Sequence, residues 1–390
     1  MTPATNHQPP TTIQSPRVAI VCDWLTNMGG AERVVLALHE AFPDAPIYTS
    51  TYVPENMPDF ASADVRTTKL QNMPKFLRKL HKFFPNQRVQ AFRDLDLSEF
   101  DIIISSSSAE AKQVRKTREG QIHICYCHTP IRYYWSHYDE YRQNPQFGRL
   151  SPLIRFAMPF FVPPLKKADY EAAQNVDVFV ANSTEVQKRI KKYYNRDSTV
   201  IYPPVDVNRF TPARTRGDYY VVTGRQVPYK RIDLAVGAAT ELGIPLKVFG
   251  NGSEHEQLVK LAGPTVKFYA DRHGDASDAE LTKALNHAKG FIFPSEEDFG
   301  IVAVEALAAG APVIALGRGG SKDIVEDGVS GVTFRDQNPD AIANAIRYAE
   351  SLTFLPGTLR RKAKRFDKSL FITKIKKVVG DAYSNNSSSR

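Results

Sequence analysis

Residues 291–334 read FIFPSEEDFGIVAVEALAAGAPVIALGRGGSKDIVEDGVSGVTF, two short apolar runs separated by turns and one alanine-rich stretch. Phe291-Ile292-Phe293 has the pattern of a strand buried on both faces, and Pro294-Ser295 turns the chain at its end. A helix is expected to begin near Phe299-Gly300, because Ile301, Val304, Glu305, Leu307 and Ala308 recur at helical spacing. Gly310-Ala311-Pro312 ends it, and residues 313–316 (VIAL) read as the next buried strand. Strand, turn, helix and strand within about 25 residues make one βαβ unit, so the sheet around them is expected to be parallel.

Two carboxylates carry the chemistry of this stretch. Glu297 falls in the turn above the first strand, and Glu305 comes eight positions later, inside the helix. Between them the backbone N–H groups of Phe299, Gly300, Ile301 and Val302 form the helix N-terminus. Unpaired donors and the positive end of the helix dipole make that tip an anion site. A phosphate seated there repels a close carboxylate, so both glutamates are expected to look past it toward neutral hydroxyls. A nucleoside diphosphate sugar has that order: sugar hydroxyls, diphosphate, ribose hydroxyls. Gly317-Arg318-Gly319-Gly320-Ser321 is a second small-residue loop, where backbone is expected to approach the ligand.

The string PSEEDFGIVAVEALAAGAPVIA, with Glu297-x7-Glu305 inside it, resembles the signature of the retaining glycosyltransferases of family 4. The resemblance runs from residue 17 to about residue 383 and is densest over 219–334. It implies an α/β fold of the GT-B type. Two Rossmann-like domains then face each other across a cleft, the second holds the donor, and a C-terminal helix crosses back to the first.

Length and composition suit that architecture. A chain of 390 residues is long for one core and accommodates two domains of about 150–200 residues. Hydrophobic residues at 42% and charged residues at 24% are those of an ordinary globular protein. No apolar run reaches about 18 residues, so no membrane-spanning helix is expected. Residues 1–16, Pro/Thr-rich and without an apolar core, read as a disordered tail instead of a signal peptide, and 384–390 as another tail. The expected domains are 17–204, joined by a crossing helix at about 372–383, and 205–371. Three cysteines, Cys22, Cys125 and Cys127, fit a reducing compartment and read as buried thiols, since no second Cys/His pair stands at ligand spacing. A net charge of +9 calls for an anionic partner: nucleotide, nucleic acid or membrane surface.

In the first domain a strand at 17–22 leads to Gly29-Gly30 and a helix to about Ala41. Paired glycines between a strand and a helix let backbone approach a phosphate, although no G-x-G-x-x-G fingerprint is present. Residues 69–93 hold Lys69, Lys75, Arg78, Lys79, Lys82, Arg88 and Arg93 without an acid. Phe76, Leu77, Leu80, Phe83 and Phe84 fall on one helical face there, so this is a basic amphipathic helix that lies on an anionic membrane or packs on its own domain. The aromatics share the apolar face instead of interleaving with the cations, which argues against nucleic acid. His128 closes the strand at 122–127, an edge where open α/β sheets place ligand contacts. The run from Arg132 to Tyr138 either shapes an acceptor pocket or packs. RFAMPFFVPPL at 155–165 is a proline-broken apolar stretch flanked by Arg155, Lys166 and Lys167, compatible with a second membrane face. Pro203-Pro204-Val205-Asp206 is a stiff linker.

In the second domain the strand at 219–224 is followed by Arg225 and Lys230 on one loop, two cations placed to neutralise a diphosphate. Residues 266–269 with Ala270-Asp271-Arg272 make a strand and loop where members of the resembled family hold the base. Helices are expected at 232–242, 278–288, 340–351, 359–371 and 372–383.

The resemblance implies His128, Arg225, Lys230 and Glu297 as catalytic residues. It implies Gly29, Gly30, Asp298, Phe299, Gly300, Ile301, Val302 and Glu305 as donor-binding ones. The expected reaction moves a hexose from a nucleotide sugar with retention. No carboxylate pair reads as nucleophile and acid about 5 Å apart, so front-face departure is favoured, with the leaving diphosphate helping to deprotonate the acceptor. No Asp-x-Asp metal motif stands near the donor stretch, so no metal and no cofactor are expected. The GGAERV, CHTPIRYYW and GRQVPYKR segments are most similar to the GDP-mannose-dependent mannosyltransferases of polysaccharide and O-antigen assembly, the WbaZ-like group. A UDP-sugar donor is the alternative, and a membrane-associated sugar-nucleotide-binding protein the non-enzymatic one. The expected setting is the cytoplasmic face of the cell membrane, with a glycan or polyprenyl-linked acceptor and the anionic surface met through 69–93.

Overall fold

The computed structural model describes residues 16–74, 85–143, 151–269 and 277–388. The tail 1–15, the expected helix carrying Lys75, Arg78, Lys79 and Lys82, and the expected base-holding residues Ala270, Asp271 and Arg272 lie outside these. In chain order the strands are β1 (Val18–Cys22), β2 (Ile47–Thr49), β3 (Val65–Thr67), β4 (Ile102–Ser107), β5 (Ile122–Cys127), β6 (Val178–Ala181), β7 (Thr199–Val200), β8 (Tyr220–Thr223), β9 (Leu246–Phe249), β10 (Val266–Phe268), β11 (Gly290–Phe293), β12 (Val313–Leu316) and β13 (Gly331–Phe334). They form a seven-stranded sheet in the order β3-β2-β1-β4-β5-β6-β7 and a six-stranded sheet in the order β10-β9-β8-β11-β12-β13. All the pairings are parallel. These are the two Rossmann-like parallel sheets that the resemblance implies, with β1, β11 and β12 buried throughout as their apolar runs predict.

Strand order reverses between β1 and β4 in one sheet and between β8 and β11 in the other. The crevice outside the carboxyl ends of the strands at such a reversal is where open α/β sheets take ligands. The loops leaving β8 and β11 are those that carry Arg225 with Lys230, and Glu297 with Gly300. The loop leaving β1 carries Gly29-Gly30, and β5 ends beside His128.

The chain crosses between domains twice at one place. Val205 N–H donates to Phe366 O at 3.0 Å and Lys368 N–H to Val205 O at 3.0 Å, so the two crossings run side by side. That pairing needs extended backbone at Asp367 (φ −60°, ψ 142°), and it divides the helix expected over 359–371. Pro356–Ala363 is helical, Lys364–Phe366 is a 3₁₀ turn, and a new helix starts at Lys368. This last helix runs to Ser388, past its expected end at 383, and Asn386 Nδ2 donates to Gly120 O at 2.7 Å. Residues 384–388 are therefore helix and not tail. Its Phe371, Ile375 and Val379 join Ile20, Val34, Ile104 and Ile124 in the first domain's core.

A second difference concerns the proline-broken stretch. Ser151–Gln174 is one 24-residue helix that contains Pro159, Pro163 and Pro164. Proline removes a donor and crowds the preceding turn. Burial of Val162, Leu165, Ala172 and Ala173 along one face nevertheless carries the helix through.

Candidate functional site

The site is built on the turn between β11 and the helix Ile301–Ala308. Gly300 caps that helix with φ +112°, and a Cβ there would stand 2.6 Å from Phe293 Cζ, so conformation and space both require glycine. Gly319-Gly320 supports the turn from behind. Gly320 N–H donates to Glu297 O at 2.8 Å, and a Cβ on Gly320 would lie 2.3 Å from Phe299 Cα. These glycines let backbone approach backbone in the turn.

Glu297 Oε1 accepts from Ser295 Oγ at 2.9 Å and from the Lys230 ammonium. Lys230 ends the 3₁₀ turn Pro228–Lys230 that follows β8. Arg225, two residues past the end of β8, is exposed and donates to Tyr229 Oη at 3.0 Å. The two cations expected on this loop thus stand apart: Lys230 is paired with Glu297, while Arg225 faces the first domain, close enough to act on the Glu32 carboxyl.

The first domain supplies the opposite wall. The helix Gly30–Ala41 starts at the paired glycines, and a Cβ on Gly30 would sit 3.2 Å from Ile301 Cδ1. The glycine loop therefore abuts the helix tip across the domain boundary. Asp23, just past β1, accepts from the backbone N–H groups of Ser108 (2.7 Å), Ala109 (2.9 Å) and Ala111 (2.7 Å) and from Ser108 Oγ (3.0 Å). These bonds fix the loop after β4. Ser106, on β4, places Oγ 2.8 Å from His128 Nε2. Desolvation lowers the His128 pKa to about 4 against the pull of Asp23 and Asp298, so the ring is neutral at pH 7 and acts by hydrogen bonding. Glu32 is pushed the other way, up to about 7, by desolvation and by Asp23.

The remaining carboxylates have partners that the spacing did not reveal. Glu305 is buried, and its Oε1 accepts from Arg33 Nη1 at 2.7 Å and Arg209 Nη2 at 2.8 Å. Asp278 binds the same two guanidinium groups, at 3.5 Å from Arg33 and 2.9 Å from Arg209. Asp298 gives one oxygen to Arg132 and the other to Arg189, both at 2.6 Å. Arg33, Arg132 and Arg189 belong to the first domain, so these are clasps across the cleft. Both oxygens of Asp298, expected at the donor, are engaged by the opposite domain. A third clasp runs from Asp323, which accepts from Thr184 N–H and Thr184 Oγ1, each at 2.7 Å, and so caps the helix Thr184–Tyr194 from the other domain. The sequence singled out Arg132 only within a run that shapes an acceptor pocket or packs, and pointed to none of Arg33, Arg189 and Arg209. Arg33 lies three residues after Gly30 and Arg132 four after His128, so proximity to a motif was the available signal for two of them. Arg189 and Arg209 offered none. Among the described residues no group of three or more His, Cys, Asp or Glu side chains is arranged to hold a metal ion.

Two family models match the chain, one after the other. Residues 28–209 match the family model described as Glycosyltransferase Family 4, and residues 206–368 the one described as Glycosyl transferases group 1. A D-inositol 3-phosphate glycosyltransferase of Geodermatophilus obscurus is 33% identical over 214 residues, 45% of this chain and 46% of the relative. A GDP-mannose-dependent alpha-mannosyltransferase of Mycobacterium tuberculosis is 32% identical over 166 residues, 37% of this chain and 43% of the relative. The chain spans about half the length of the curated relatives it matches. The crystal structure of Anabaena HepE in complex with UDP and glucose is similar with a TM-score of 0.69 at 18% identity, covering 94% of this chain and 100% of that one. The two family matches meet at 206–209, beside the double crossing, and together reach from residue 28 to 368. The chain thus has the GT-B fold, a first domain that matches the family 4 model followed by a second that matches the group 1 model.

Proposed function

We propose that the protein is a metal-independent retaining hexosyltransferase that moves mannose from GDP-mannose to a glycan or polyprenyl-linked acceptor at an anionic, cytoplasmic membrane face. The observation that carries the reading is the Lys230–Glu297 pair at the glycine-capped helix tip, faced by neutral His128 and the Gly29-Gly30 loop. In this reading the diphosphate takes Lys230 and the amides of Phe299–Val302, and Arg225 closes on it from the loop after β8. Charge building on the leaving oxygen is then met by fixed donors, which is where an enzyme gains most. Glu297, released from Lys230, accepts hydrogen bonds from the hydroxyls of the sugar. Glu305 accepts from the ribose while Arg33 and Arg209 hold its carboxylate in place. His128 hydrogen-bonds the transferred sugar without adding charge.

GDP-mannose is favoured by the mannosyltransferase relative, whose name specifies that donor. A UDP-sugar is the second reading, favoured by the neighbour crystallised with UDP and glucose. A thermal-shift panel of GDP-, UDP- and ADP-sugars in EDTA tests donor and metal together, followed by NMR assignment of the product's anomeric configuration. The reading expects stabilisation by GDP-mannose, transfer in EDTA and a retained configuration. An inverted product, or transfer that requires added divalent metal, overturns the mechanism. A preference for UDP-sugars overturns only the donor.

A further inference from the structure

His128 leaves one ring nitrogen for a ligand, and a serine on the neighbouring strand decides what that nitrogen can do. Ser105 and Ser106 follow each other on β4 and pair in register with Cys125 and Tyr126 of β5. Successive strand residues point to opposite faces, so the two hydroxyls serve different histidines. Ser105 Oγ lies 2.8 Å from Nε2 of His123, which is buried inside the domain. Ser106 Oγ lies 2.8 Å from Nε2 of His128, which is only partly buried. His128 stands at the carboxyl end of β5, close enough to the second domain to feel the charge of Asp298.

The direction of the Ser106–His128 bond follows from counting protons. A neutral imidazole has one N–H donor and one acceptor nitrogen, whereas a hydroxyl can donate and accept. Ser106 is 2% exposed, and among the described residues its Oγ has no hydrogen-bond partner other than His128. If Nε2–H donated to Oγ, the serine proton would be buried with no acceptor, at the desolvation cost of an unpaired donor. With the hydroxyl donating, both atoms are satisfied. Nε2 is then the acceptor, and the one proton of the neutral ring sits on Nδ1. The ring is held in that orientation by Tyr126, whose centroid lies 5.3 Å away at 68°. Tyr126 is itself tied through Oη to Ile201 O at 2.9 Å. Nδ1 has no hydrogen-bond partner among the described residues, and it is not sealed from solvent.

We infer that Ser106 is a positioning residue: it fixes His128 in the Nδ1–H form, so that the ring meets the donor sugar as a hydrogen-bond donor to a hydroxyl oxygen. The inference rests on the sugar contact of the proposed function and adds the direction of that contact. Glu297 then supplies the acceptor for sugar hydroxyls and His128 the neutral donor. Without the Ser106 hydroxyl, either nitrogen can carry the proton, and the ring presents a lone pair to the sugar part of the time.

The tautomer is read directly, without substrate, from two-bond proton–nitrogen spectra of the full chain labelled with nitrogen-15 in its nine histidines. His128 is assigned by its absence from His128→Asn. The wild-type ring is expected to carry its proton on Nδ1, Ser106→Ala to show a mixture, and Ser106→Thr, which keeps the hydroxyl, to keep the wild-type form. Ser106→Ala is expected to lower kcat/KM about threefold to tenfold with the sugar nucleotide that the donor panel selects, the worth of one misdirected hydrogen bond. Its Kd for the bare nucleoside diphosphate, which has no sugar to contact, should stay unchanged, and Ser106→Thr should restore kcat/KM. A wild-type ring protonated on Nε2 overturns the inference. So does a Ser106→Ala protein with the wild-type tautomer and turnover, or one that loses nucleoside diphosphate affinity in step with kcat/KM. Normal transfer by His128→Asn overturns instead the sugar contact itself, a failure that the spectra keep separate.

Discussion

Lys230 and Glu297 hold each other now, and in the proposed mechanism they part, one to the diphosphate and the other to the sugar. Glu297→Ala is expected to lower kcat by about 10²–10³-fold and change nucleotide affinity only a few-fold. Comparable losses in both would assign Glu297 to ribose or to the fold. Lys230→Ala is expected to cost about 3 kcal/mol in kcat/KM. The double variant should lose less than the sum, because Lys230→Ala alone strands the Glu297 carboxylate beside the anion, a penalty absent once Glu297 is also removed. Additive losses would mean that the two side chains act independently. His128 makes a prediction about pH. Its folded pKa of about 4 lies below the unfolded value near 6.5, and buried His123 behaves alike. From about pH 6.5 down to about 4 the unfolded chain binds protons that the fold excludes. Stability is therefore lost as the pH falls through that window, by up to about 1.4 kcal/mol per pH unit for each ring. Glu32, raised to about 7, works in the opposite sense, since its ionisation costs stability as the pH rises. Urea titrations at pH 7 and pH 5 should show a shallower loss in His128→Asn than in wild type; equal slopes would place a charged His128 in the native state.

The element at the centre is the turn from β11 into the helix Ile301–Ala308, whose backbone depends on Gly300. Gly300→Ala combines a positive φ with a clash against Phe293. It should destabilise the protein by about 1–3 kcal/mol and raise the Kd for nucleoside diphosphate, read by thermal unfolding and calorimetry. Normal binding would remove the helix tip from the donor site. This turn was legible beforehand, because Phe291-Ile292-Phe293, Pro294 and Gly310 are local signals. Two other elements were not. The helix Ser151–Gln174 reads as broken, since its prolines act locally while the burial that sustains it comes from distant partners such as Ile131 and Tyr134. The division at Asp367 is set by Val205, far away in the chain.

Across the whole molecule, three clasps join the domains: Arg33 to Glu305, Arg132 and Arg189 to Asp298, and Thr184 to Asp323. Asp298→Ala leaves two part-buried guanidinium groups without their shared carboxylate, so the clasped arrangement loses part of its stability. Small-angle scattering of that variant should show a larger radius of gyration, and kcat should fall more than nucleotide affinity, because the second domain keeps the donor contacts. Identical scattering and turnover would make Asp298 a local surface partner.

The chain by itself determined the two parallel sheets, the turn with its paired glutamates and the glycine loop, since each follows from hydrophobic period and backbone permission within a few residues. Tertiary structure alone decided the partners of the carboxylates. Charged side chains have no periodicity that names a partner across a cleft, and Glu297, Asp298 and Glu305 come within hydrogen-bonding reach of lysine and arginine only after the loops are brought together at the reversal points of their sheets.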